Sequence, residues 1–247
     1  MITQERTQNA IPYTVRNGIA APDRRQELWR RNLLQTTYLY LAVAVFGAMG
    51  GAYLGAHSES YLRLIFGGGM FAWLGVLLII NLVPAAALAV AEKAPRWAVP
   101  ALALDGFVSG LALAPLVFLG LSVSGQSGGA NLVSTAVIVT GAMFAAVTAY
   151  VHLNKTKFES SSAIGWGLFG FAMIAVPVNH FLGSSLLSLA IAGVVGLLGL
   201  WQLARATSAI VTDPDFDSPA AGALMLFAGV FNLFTAVLRI LLASRRN

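Results

Sequence analysis

Side chains able to do chemistry are few in this sequence, and the first question is which of them share a segment. Cysteine is absent, so disulfides, iron–sulfur clusters and thiol chemistry are excluded and the redox compartment stays open. The histidines, His57, His152 and His180, fall in different segments. A zinc protease needs two of them one helical turn apart with a glutamate. A retinal Schiff base needs a lysine in the last helix, and the last lysine is Lys157. "SGQSGG" around Ser124 has the glycines of a nucleophilic-serine turn but no base beside it, and no glycine-rich phosphate loop opens a helix after a strand. No enzyme, cofactor or metal site is expected.

One acid stands out. Asp105 interrupts "PALALDGFVSGLALAPLVFLGL", an otherwise apolar run from Pro100 to Leu121, where a charge costs about 2.5 to 3.5 kcal/mol even on insertion scales. It lies about eight residues into its span, roughly 12 Å of helix. Being the one acid well inside a span, it also leaves an intramembrane aspartyl protease without its second carboxylate. Candidate partners are Arg205 and Arg239, and depth favours Arg205. Asn81 and Gln202 could add hydrogen bonds. Three readings stay open: an ion pair that sets helix register, a proton- or cation-responsive gate, and an acid that is simply protonated. If Asp105 and Arg205 pair, Asp105→Asn or Arg205→Gln alone should destabilise and the double change should recover part of the loss. Asn179 and His180 near one span end could sense external pH, although an interfacial histidine needs no such role.

The elements that must position these groups are membrane helices. Of 247 residues, 57% are hydrophobic and 10% charged, against about 25% charged in soluble domains. Seven spans are predicted, at 33–56, 64–91, 97–122, 130–152, 162–182, 185–207 and 219–243, each able to cross a hydrocarbon core of roughly 30 Å. Short loops leave no room for a second domain, so residues 33–247 read as one bundle and 1–32 as an arginine-rich tail. The net charge of +5 is spread over helix ends and the tail, which fits membrane topology and not nucleic acid. With the N-terminus inside, inner segments hold 11 lysines and arginines and outer segments three. That makes the tail cytoplasmic. Gly47, Gly51 and Gly55, with Gly106 and Gly110, recur every four residues and predict close helix contacts. Pro84, Pro115 and Pro177 should kink their spans, and Trp97, Trp166 and Trp201 read as interfacial anchors.

Taken together, three stretches resemble the Bax inhibitor family, also called the transmembrane BAX inhibitor motif family, in its bacterial branch. They are "FVSGLALAPLV", "TAYVHLNKTKFESSSAIGWGLFGFAMIAVPVNHFLGSSLLSL" and "GALMLFAGVFNLFTAVLRILLASRRN". The last carries Asn232, Leu233, Phe234, Leu238 and Arg239 in the family's order, and the likeness covers about residues 30 to 244. The resemblance implies an all-α bundle of seven transmembrane helices with the last one central. It also implies a pH-sensitive calcium leak, or a role in stress or membrane-protease control. The leak is attributed in the family to two hydrogen-bonded aspartates, whose positions fall here near Arg205 and at Gly229. A further acidic position falls near Asn81.

Without paired carboxylates, calcium affinity should be weak. Two functions follow as expectations. The first is a pH-responsive proton or cation leak with weakened calcium handling, using Asp105, Arg205, Asn81, Gln202, Asn232 and Arg239 as ion-path or gating residues. The second is a non-transporting protein that modulates a membrane protease or another membrane complex, with the lipid bilayer as the surrounding partner in either case.

Overall fold

The computed structural model describes residues 15–16, 19–20, 24–127, 131–158 and 184–245, together with eight helical positions between 165 and 178. Apart from a two-residue antiparallel ladder between Val15–Arg16 and Ile19–Ala20, regular structure among these residues is helical. The helices are α1 (Arg24–His57), α2 (Glu59–Gly67), α3 (Gly69–Lys93), α4 (Ala98–Ser127), α5 (Leu132–Asn154), α6 (Ser185–Thr212) and α7 (Pro219–Ser244). Local chemistry sets their ends. Ser58, Asn131, Ser184 and Ser218 each accept a backbone N–H in the first turn of α2, α5, α6 and α7, and Pro219 follows its cap where a missing N–H costs nothing. Lys155 ends α5 in the left-handed conformation, at φ 46°.

Six helices are long and apolar enough to cross a membrane: Leu28–His57, Leu74–Lys93, Pro95–Gly125, Leu132–Asn154, Ser185–Thr212 and Pro219–Ser244. They match six of the predicted spans. The fifth, 162–182, lies largely outside the described residues, as do Trp166, Pro177, Asn179 and His180. One boundary is corrected. The predicted span 64–91 contains a break, because Gly69 at φ +58° separates short α2 from α3, and a positive φ there is cheap only for glycine. Arg24 to Asn32 of the expected tail are helical as the start of α1. At 34 residues, α1 is about 50 Å long and extends beyond any hydrocarbon core.

Contacts order the helices. Gly106 and Gly110 of α4 sit on the backbone carbonyls of Ala44 and Ala48 of α1, and Gly47 and Gly51 of α1 sit on those of Ala103 and Phe107. The paired numbers rise together, so α1 and α4 run parallel with their backbones in contact. Helix α6 runs antiparallel to α7, with Gly199 against Leu233 and Ile210 against Gly222. Helix α7 packs against α1, α3, α4, α5 and α6.

One end of the bundle therefore gathers the start of α1, the ends of α3, α5 and α6, and the starts of α4 and α7. Three links close that end. Arg30 donates to the carbonyls of Val211 (2.8 Å) and Asp213 (3.2 Å), Ser218 donates to Glu92 (3.4 Å), and Ser208 joins α6 to the segment after α5 through Thr156 and Phe158. Arg30 thereby satisfies carbonyls that a helix end leaves without partners. At the opposite end the Tyr61 hydroxyl donates to Leu111 (2.7 Å) and ties α2 to α4.

Candidate functional site

Helix α4 presents one buried stripe of Ala98, Leu102, Asp105, Ser109 and Leu113, a helical spacing of three and four. Its apolar members belong to two separate clusters. Ala98 and Leu102 pack with Ala91 of α3 and Ala220 of α7, whereas Leu113 packs with Ala56, Ala136 and Leu238 toward the opposite end. Asp105 and Ser109 occupy the stretch between them. Asp105 is 1% exposed, and neither carboxyl oxygen has a hydrogen-bond partner among the described residues.

The expected pairing of Asp105 with Arg205 does not form. Arg205 is exposed on α6, and its guanidinium lies 5.3 Å from the centre of the Trp201 ring, one turn earlier, within cation–π range. The inward face of α6 is Leu203, Ala206, Thr207 and Ile210, and Arg205 lies off it. Arg239 does not replace it. It follows Leu238, which packs at Gly120, and Gly120 is about 22 Å further along α4 than Asp105. The Arg239 Nε is itself buried without a partner. The single ion pair among the described residues is the exposed Arg63–Glu59 contact on α2.

Two of the predicted residues do meet. Asn232 of α7 donates through Nδ2 to Oε1 of Gln202 on α6 at 2.8 Å. Asn81 is exposed on α3. Of the six candidates, then, one pair is joined, Asp105 is buried alone, Arg239 is half-buried, and Arg205 and Asn81 face outward.

The amide pair lies close to where the resemblance places the family's two aspartates. Gly229 is one turn before Asn232 and packs directly on α6, and a Cβ there would fall 2.7 Å from Cγ of Leu203 and 3.0 Å from its backbone nitrogen. Gly199 on the facing helix is equally confined, 2.7 Å from the nitrogen of Leu233. Helices α6 and α7 have closed over the space a carboxylate at position 229 requires. A neutral amide pair remains, and amides do not titrate.

Sequence reasoning missed two features. The Arg30 link to α6 left no signal, because its acceptors are backbone carbonyls 181 and 183 residues away. The buried hydroxyls of Thr37, Thr140 and Thr207, all without partners among the described residues, are indistinguishable in sequence from ordinary helical threonines.

The family model for "Inhibitor of apoptosis-promoting Bax1" matches residues 30–247. Relatives are bacterial and uncharacterized. One from Neisseria meningitidis serogroup A is 27% identical over 221 residues, covering 87% of this chain and 92% of its own. One from Campylobacter jejuni is 26% identical over 213 residues, covering 84% and 87%. One from Helicobacter pylori is 27% identical over 230 residues, covering 92% and 93%. With the match running from the seventh residue of α1 to the C-terminus, the chain belongs to the Bax inhibitor family of multi-pass membrane proteins.

Proposed function

We propose that the protein is a pH-responsive leak for protons or monovalent cations in the bacterial inner membrane, with Asp105 as its titrating group and only weak handling of calcium. The observation that carries this reading is the buried Asp105 carboxyl with no partner on either oxygen among the described residues. A charge held that way is costly, and it is relieved by a proton or a cation. A group in that position responds to the supply of either. Calcium favours six to eight oxygens and strong carboxylate ligands, and the resemblance places the family's two aspartates near Arg205 and at Gly229, neither of which is an acid. The end carrying Arg30, Arg31, Lys93, Arg96, Lys155 and Lys157 is taken as cytoplasmic by the excess of basic residues.

Reconstitution in proteoliposomes tests this, with internal dyes for pH and for calcium read across external pH. The expected result is a pH-dependent proton or potassium flux that Asp105→Asn removes and Arg205→Gln leaves intact. Calcium flux equal to that of a family member retaining both aspartates would overturn the demotion of calcium. No flux above empty vesicles would instead favour the non-transporting modulator of a membrane protease or other complex.

A further inference from the structure

The cationic end of the bundle carries an open groove of about 760 Å³ along α1, facing His152 of α5 and lined by Arg30, Arg31, Leu34, Gln35, Tyr38 and His152. Its contents are independent of the leak. The walls are mostly carbon, from Leu34, the Tyr38 ring and the stems of the longer side chains, and the basic groups stand around them. We infer that this groove holds an anionic phospholipid, its phosphate at Arg31 and Arg30 and its glycerol and first chain carbons along Leu34 and Tyr38.

Four observations converge on that ligand. First, neither arginine is neutralised by a carboxylate among the described residues, where Arg63–Glu59 is the only ion pair. Second, Arg30 is held in place by Nη1 and Nη2 donating to the carbonyls of Val211 and Asp213, which fixes its charge before a ligand arrives and leaves one N–H on each of those nitrogens for a phosphate oxygen. Third, the His152 Nδ1 faces the Thr148 carbonyl at 2.9 Å. A carbonyl only accepts, so Nδ1 carries the hydrogen, and Nε2 of the neutral ring is an acceptor suited to a glycerol hydroxyl of the headgroup rather than to its phosphate. The His152 ring lies 6.5 Å from that of Tyr38, centre to centre, so α1 and α5 together frame the opening. Fourth, the groove is both apolar and cationic, and its residues fall in the first third of the candidate span Leu28–His57 and at the end of Leu132–Asn154. Basic pockets between helices at that depth suit acidic headgroups, and the volume is that of an ordinary ligand site. Free phosphate shares the anionic chemistry but has no use for the carbon walls.

Native mass spectrometry of the intact protein, released from detergent after incubation with phosphatidylglycerol or phosphatidylcholine, reads the site directly. The expected result is one strongly retained phosphatidylglycerol, with phosphatidylcholine retained far less. Arg31→Gln should lower that retention roughly tenfold, the scale of one lost charge-assisted contact. Gln35→Trp, an exposed position that can narrow the groove without disturbing the core, should lower it further. Arg96→Gln makes the same charge change at the same end but outside the groove, and should leave retention unchanged. Retention that is equal for both lipids, or indifferent to both groove variants, overturns the assignment. So does displacement of the lipid by millimolar inorganic phosphate, which would mark the site as one for the free anion.

Discussion

Asp105 and Arg205 show how far depth alone carries a sequence argument. Both sit seven residues from the same end of the bundle, counted from Ala98 on α4 and Thr212 on α6, so their levels agree. Their directions do not, because Arg205 lies off the inward stripe of α6 while Asp105 lies on that of α4. Composition and spacing give depth, whereas direction depends on how helices rotate against neighbours that only the fold supplies. The stability expectation changes accordingly. Asp105→Leu should raise the melting temperature in detergent, by about 1 to 3 kcal/mol of released desolvation. Arg205→Gln should shift stability by no more than about 0.5 kcal/mol, as exposed substitutions do. The double change should be the sum of the two to within about 0.5 kcal/mol; a recovery larger than that in thermal melts would restore the ion pair this structure lacks.

Glycine spacing was legible at the level of elements, and for a physical reason. A four-residue repeat of glycine in an apolar helix has few uses besides close packing, and the repeats of α1 and α4 face one another. Gly106→Val and Gly110→Val should each cost about 1 to 3 kcal/mol, since the new side chain meets the rigid carbonyl of Ala44 or Ala48. Gly141→Ala and Gly193→Ala, with open space around them, should be neutral or slightly stabilising in the same melts. The break at Gly69 was missed although Gly67, Gly68 and Gly69 form a run that marks a turn, because the apolar residues on both sides of "LIFGGGMFAWL" read as one span. The Gln202–Asn232 bond was half legible, as both amides stood out in apolar helices but nothing in the sequence paired them. A double-mutant cycle with leucine at each should return a coupling near 0.6 kcal/mol, the average for such bonds in a membrane protein.

At the scale of the whole molecule, the six described spans followed from hydropathy, while the way the bundle closes did not. Arg30 clasps the end of α6 through two backbone carbonyls, so its loss should loosen one end and leave the other intact. Arg30→Ala should speed hydrogen exchange in the last turn of α6 and the segment up to Ser218, with exchange around Leu238 unchanged; uniform acceleration along α7 would show that the clasp supports the entire fold. The tight seat of Gly229 against Leu203 makes a carboxylate at this point a two-step change. A side chain added at position 229 arrives where Leu203 stands, so one substitution alone cannot install it. Gly229→Asp should therefore give an unstable protein and no calcium flux, and a carboxylate here would need a smaller residue at position 203 beforehand.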